Sequence, residues 1–183
     1  MSPTTAVYFD AALVAKFYVN EPGRDAVRRL AKRAGTVATS GIAVAEVAAA
    51  FHRKLREGAI DVPVFEALQG QFHHDVTRRL WTLIEPTPAL LQQVRALFAR
   101  LDRTVFLRSL DAVHLMTAKA EHFDRLYSND TQLLAACPSV HLKGINPIAP
   151  SLVPAPLAEA LPMNASDKNE AAGAAAERHR VNA

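Results

Sequence analysis

Four acidic residues stand out by their surroundings: Asp10, Glu46, Asp111 and Asp130. Asp10 ends the β-forming run VYF and is followed at once by the helix-prone segment AALVAKFY. Asp130 closes RLYSND in the same way. Glu46 lies in SGIAVAEVAAAF, where the apolar neighbours leave it no fully polar helix face. Asp111 lies near a helix start in SLDAVHLMTAKA, with Leu110, Ala112 and Val113 around it. Each acid has a structural use. Asp10 and Asp130 are good helix N-caps, and Asp111 suits the positive end of a helix dipole. Glu46 resists that treatment, because a buried carboxylate is costly unless it has a partner such as an arginine. Gathered in one place, the four would repel by a few kcal/mol per close pair. A divalent cation relieves that repulsion. Oxygen ligands without cysteine or paired histidine favour Mg²⁺, with Mn²⁺ as a substitute, over Zn²⁺. Such a centre suits phosphate chemistry.

The elements that must position these acids alternate along the chain. Short strands are expected at residues 7–9, 36–39, 80–84, 125–127 and 140–142. Between them helical spacing predicts helices over 11–19, 24–34, a long segment opened by Ser40, a segment opened by Asp61 and Pro63, another capped by Thr87, and then 109–121 and 131–136. Strands joined by helices require crossovers, which give an α/β fold with a mainly parallel sheet covered on both faces. Ligands bind such sheets beyond the carboxyl ends of the strands, at a switch in strand order. Asp10 and the segment after Tyr127 lie at such ends.

The 183 residues suffice for one domain with a core, expected over 1–150. Residues 151–183 change character: prolines and then an Ala-rich polar run predict a mobile tail. The formal charge is +3, with 18 Lys/Arg against 14 Asp/Glu in residues 1–150 and three against four beyond. That balance permits a nucleic-acid partner without requiring one. No window has the length and apolarity of a membrane span, and the start lacks a signal-peptide pattern. Cys137 is the only cysteine, which excludes an internal disulfide and a cysteine metal cluster and makes a reducing cytoplasm the expected setting.

The order of the acids and the text around them resemble the PIN-domain nucleases, and within them the VapC toxins of toxin–antitoxin pairs. The resemblance runs through YFDAALVAKFYVNEPG, AVAEV, LRSLDAVHLMTAKA, LYSNDTQLLAAC and VHLKGINPI, and so spans residues 5–148. It implies a PIN-like three-layer α/β/α sandwich. It also implies a Mg²⁺-dependent endoribonuclease that leaves a 5′-phosphate and a 3′-hydroxyl. Asp10 and Asp111 would be the primary metal ligands, Glu46 a water-mediated ligand or proton acceptor, and Asp130 a further ligand. A VapB-like antitoxin and a homodimer are the implied partners. One departure is notable: the family's hydroxyl just after the first acid is replaced by Ala11 and Ala12, although Ser128 keeps a usual Ser/Thr position. The alanines leave room for a second reading, a catalytically silent scaffold that binds RNA or protein.

Other residues are weighed against these. Lys16 and Arg108 could neutralise substrate phosphates or pair with the acids. His114 reads as a hydrogen-bonded core or rim histidine before a general base. The His73–His74 pair does not share a helix face, so it makes a poor metal site. The face of Phe65, Leu68 and Phe72 could serve a partner or the core. Neutralising Asp10 or Asp111 is expected to stabilise the metal-free protein by relieving repulsion.

Overall fold

In the computed structural model, which describes residues 6–148, the first strand is β1 (Val7–Phe9), buried throughout. The tail expected over 151–183 lies outside the described residues. After β1 come α1 (Ala11–Tyr18), α2 (Arg24–Ala34), β2 (Val37–Ser40), α3 (Ala43–Arg56) and α4 (Val62–Thr77). The chain continues with β3 (Trp81–Ile84), α5 (Pro88–Arg100), α6 (Ser109–Ala120), β4 (Arg125–Tyr127), α7 (Thr131–Ala136) and β5 (Lys143–Ile145). Among the described residues the five strands form one sheet in the order β3-β2-β1-β4-β5, with every pairing parallel.

Strand alternation divides the core. Val7, Phe9 and Val37 point to one side of the sheet and pack with Leu13, Val14, Val27, Val47 and Phe51 from α1 to α3. Tyr8 and Ala38 point to the other side and pack with Leu97, Leu115, Leu126 and Leu133. Each large side chain buried in this way contributes about 1.5–3 kcal/mol. The result is the expected three-layer α/β/α sandwich. Helix α6 is buried from Asp111 to Ala118, so it shows little one-sided apolar pattern in sequence. Phe72 is buried, and Phe65 and Leu68 pack against the same core, so that face of α4 is structural.

Two expectations are corrected. The last strand is not residues 140–142 but Lys143–Ile145. Pro138 lacks an amide donor, and residues Cys137–Val140 close as a 3₁₀ turn ended by His141 in the left-handed region, φ 63°. Ser40 caps no helix. It is the last residue of β2, paired with Ile84, and α3 begins three residues later without a side-chain cap.

Strand order reverses at β1. The chain leaves it toward β2 and later returns to pair β4 on its other edge. The crevice at the carboxyl ends of β1 and β4 is therefore the switch point of the sheet.

Candidate active site

Asp10 follows β1 directly, and its amide donates to the Tyr127 carbonyl at 3.1 Å, which carries the ladder past the strand end. That bond brings Asp10 level with the start of the β4–α7 loop. Its carboxylate caps α1 by accepting the Leu13 amide at 2.9 Å and also accepts the Ser128 hydroxyl. The helix cap expected of Asp10 is therefore formed, by a carboxylate that also lines the cavity. Ser128 Oγ accepts the Asp130 amide at 2.9 Å, so one hydroxyl ties the first acid to the fourth. Asp130 caps α7 through the amides of Gln132 and Leu133. Asp111 stands in the first turn of α6, and Glu46 in the first turn of α3. The four acids come from four separate segments and line one open cavity of about 1000 Å³.

Their partners differ. Asp10 is only 4% exposed, and burial pushes its carboxyl up to about 6. The Ser128 hydroxyl, nearby His114 and the Leu13 amide offset part of that rise, while Asp111 adds to it. Glu46 meets His114 Nε2 at 2.8 Å, and Tyr8 meets His114 Nδ1 at 3.0 Å. Burial holds the Tyr8 hydroxyl protonated, so it donates to Nδ1 and leaves Nε2–H to donate to Glu46. His114 thus orients Glu46 from the buried edge of the cavity, with both ring nitrogens engaged. Arg108 lies between the other two acids. Its Nε donates to Asp111 at 2.7 Å and its Nη2 to Asp130. The pair with Asp111 raises the guanidinium pKa still further.

Of the two cations weighed from sequence, only Arg108 pairs with the cluster. Lys16 turns away and, with Lys54, holds Glu21. His73 and His74 are exposed on α4 outside the cavity. Cys137 is buried, donates to the Leu133 carbonyl at 3.4 Å and has its thiol pushed up to about 11 by burial, as a packing residue would.

Among the described residues no three His, Cys, Asp or Glu side chains are arranged to hold a metal ion as they stand. The physical reason is visible. A guanidinium separates Asp111 from Asp130, and Glu46 is turned onto His114. The donor chemistry nevertheless fits a hard divalent cation. All four groups are carboxylates, and the space between two of them already attracts a positive group. Arg108 is 58% exposed at its side chain, so it can leave without opening the core.

Sequence reasoning passed over other residues of the cavity. His52, Arg53 and Arg56 of α3 line it, as do Ala49, Ala50, Asn129, Thr131 and Gln132. A signal was available for the arginines. They stand seven and ten residues after Glu46, on its own face of the helix.

Solved structures support the architecture. VapC20 of Mycobacterium tuberculosis, described as a toxin that cleaves the sarcin–ricin loop, superposes with a TM-score of 0.55 at 16% identity. That match covers 71% of this chain and 94% of VapC20. FitAcB of Neisseria gonorrhoeae gives a TM-score of 0.58 at 16% identity, covering 79% of this chain and 99% of the other. At such identity these likenesses establish the fold alone. No curated protein matches the sequence. The family model of the PIN domain matches residues 7–137, a span that holds all four acids and every strand but the last. By that match, and by the parallel sheet that places the acids at its switch point, the chain belongs to the PIN domain family.

Proposed function

We propose that this chain is a metal-dependent endoribonuclease and the toxin half of a VapBC-type toxin–antitoxin pair. The observation that carries the reading is the meeting of four acids, from four distant segments, in one open cavity at the switch point of a PIN fold. Asp10, Glu46, Asp111 and Asp130 would hold the ion, Mg²⁺ with Mn²⁺ as a substitute. When bound, such an ion supplies charge stabilisation at the phosphodiester oxygens and a more acidic water.

The chain's own residues do the rest. Ser128 and the Leu13 amide fix the direction of the Asp10 carboxylate. His114, held by Tyr8, fixes Glu46, which would accept the proton of the attacking water. Attack in line would leave a 5′-phosphate and a 3′-hydroxyl. Arg108 balances Asp111 and Asp130 while no ion is present and is free to turn to a substrate phosphate afterwards. With Ala11 and Ala12 in place of the family's hydroxyl there, the hydroxyl that Asp10 accepts from is that of Ser128, just past β4.

A VapB-like antitoxin that restrains the cavity, a homodimer and a cytoplasmic setting complete the proposal. VapC20 is described as a toxin, and FitAB was determined bound to a DNA fragment. Among the described residues no helix is long and apolar enough to cross a membrane.

The second reading, a silent scaffold, draws on the Arg108 bridge, since an acid pair already neutralised has less need of an ion. Incubating the protein with total RNA in Mg²⁺, in Mn²⁺ and in EDTA separates the two. Metal-dependent cutting that EDTA abolishes is expected. Intact RNA under every metal condition would favour the scaffold.

A further inference from the structure

The cavity is larger than four acids require, and its walls differ. Along α3 the lining residues are Glu46, Ala49, Ala50, Arg53 and Arg56, a single helical face that runs from a carboxylate over short side chains to two guanidinium groups. At 1.5 Å per residue, Arg53 and Arg56 lie about 10 and 15 Å along the axis from Glu46. The segments at the start of α6 and of α7 add the uncharged Ser109, Asn129, Thr131 and Gln132 beside Arg108, Asp111 and Asp130.

The two arginines stand in the last turn of α3, where any cation suits the negative end of the helix dipole, but no acidic side chain holds them there. Lys54, their neighbour on α3, pairs with Glu21. Arg53 and Arg56 are exposed, make no ion pair among the described residues, and stand three apart on one face, where like charges repel. Their mutual repulsion offsets part of what the helix dipole gives. An anionic chain entering the cavity would gain from the pair.

We propose that Arg53 and Arg56 bind the backbone phosphates of a single-stranded RNA a few nucleotides to one side of the reacting phosphate. The short side chains of Ala49 and Ala50, with Ala12 also on the lining, keep the path between acids and arginines open for sugar and base. Contacts of this kind give affinity without reading sequence. Base-edge hydrogen bonds would fall to Asn129 and Gln132, whose amides lie on the lining near the start of α7. The inference deepens the nuclease reading and rests on it.

The test is fluorescence anisotropy with a short labelled single-stranded RNA of mixed sequence, in an Asp10→Asn background that prevents cutting, over about 50 to 200 mM KCl. Arg53→Ala/Arg56→Ala should weaken binding about tenfold at the low-salt end. It should also flatten the slope of log affinity against log salt by about 0.7 per lost phosphate contact. Arg29→Ala/Arg33→Ala removes the same charge from exposed positions on α2 outside the cavity and should leave the slope nearly unchanged. Equal effects from the two double variants would reduce the proposal to net charge and overturn it. So would a wild-type slope in the Arg53/Arg56 variant, or loss of binding to a polyglutamate peptide with RNA binding intact. Should the wild-type chain cut RNA while these arginines leave binding untouched, this inference falls alone. Should no RNA be cut under any metal while the arginines still govern binding, the nuclease reading falls and the phosphate contact stands.

Discussion

Two charge clusters lie on α1 and the helices around it, and they are built on opposite principles. At the carboxyl end of α1, Glu21 sits between Lys16 and Lys54. Burial works against its ionisation, but the two ammonium groups outweigh that and lower its pKa. At the amino end of the same helix, Asp10 is buried beside Ser128, His114 and a second acid, and burial raises its pKa to about 6. Both are carboxylates, yet they shift in opposite directions, because near-complete burial at Asp10 outweighs the neighbours that favour its charge, whereas at the partly exposed Glu21 two ammonium groups outweigh burial. A cluster that serves stability closes its own charge. At the acid end one guanidinium, Arg108, bridges only two of the four carboxylates, while the cavity's other two, Arg53 and Arg56, make no ion pair among the described residues, an arrangement that stability alone does not favour.

That contrast can be broken most directly at the acid end. Asp10→Asn and Asp111→Asn should each lower metal-dependent RNA cleavage by on the order of a thousandfold or more, with circular dichroism unchanged. Near-normal cutting by either variant would erase the functional side of the comparison.

The next effect concerns stability without metal. A carboxyl whose folded pKa is raised binds its proton more tightly in the native state. Its ionisation therefore costs stability as pH rises from about 4 through about 6. Asp10→Asn keeps an acceptor for the Leu13 amide and removes that cost. Above pH 6 the variant should be more stable by up to about 3 kcal/mol in denaturant titrations with EDTA, from roughly two pKa units at about 1.4 kcal/mol each. The gain should vanish near pH 4. A variant less stable at pH 7 would show that Asp10 is not held in a destabilising place. Asp111→Asn should bring no such gain, because Arg108 already offsets its charge. The relief of repulsion expected from sequence at Asp111 is corrected on that ground.

Ser128→Ala sharpens the comparison further, since it removes a donor from Asp10 and an acceptor from the Asp130 amide at once. Cleavage should fall about 10- to 100-fold, as for other groups that orient a ligand. A loss restored by Ala12→Ser in the same chain would show that the two hydroxyl positions are interchangeable.

The smallest effect belongs to the closed cluster. Glu21→Gln should cost about 1 kcal/mol at pH 7, because its partners are partly exposed and screened by solvent. A depressed pKa gives stability present above the ordinary carboxylate range and lost as pH falls through the folded value. The difference should therefore shrink in acid and in high salt, as paired melts would register. Cleavage should be unaffected. A large loss of cutting would mean that Lys16, freed from Glu21, matters at the acid end after all.

Much of this architecture is legible in the amino-acid sequence. Helical spacing and turn residues locate β1, α1, α6 and α7 to within a residue or so, and the apolar settings of Glu46 and Asp111 mark them as unusual. Local pattern fails where its signals conflict. Ser40 has the chemistry of a cap but completes a strand ladder with Ile84. Val140 and Leu142 are apolar and buried, yet the 3₁₀ turn at Pro138 delays the last strand.

What the chain's order of residues determined by itself is its alternation of elements, and with it a parallel sheet whose crevice must collect the acids. Those are short-range matters, set by backbone preference and burial within one or two turns. Which charge meets which was decided only by the tertiary structure. Ser128 lies 118 positions from Asp10, and Tyr8 lies 106 from His114. Arg108 joins Asp111 to Asp130, Lys16 leaves for Glu21, and Arg53 turns into the cavity while Lys54 beside it does not. Electrostatic and hydrogen-bond energies depend on distances through space, and spacing along the chain carries those distances only within a single helix or strand.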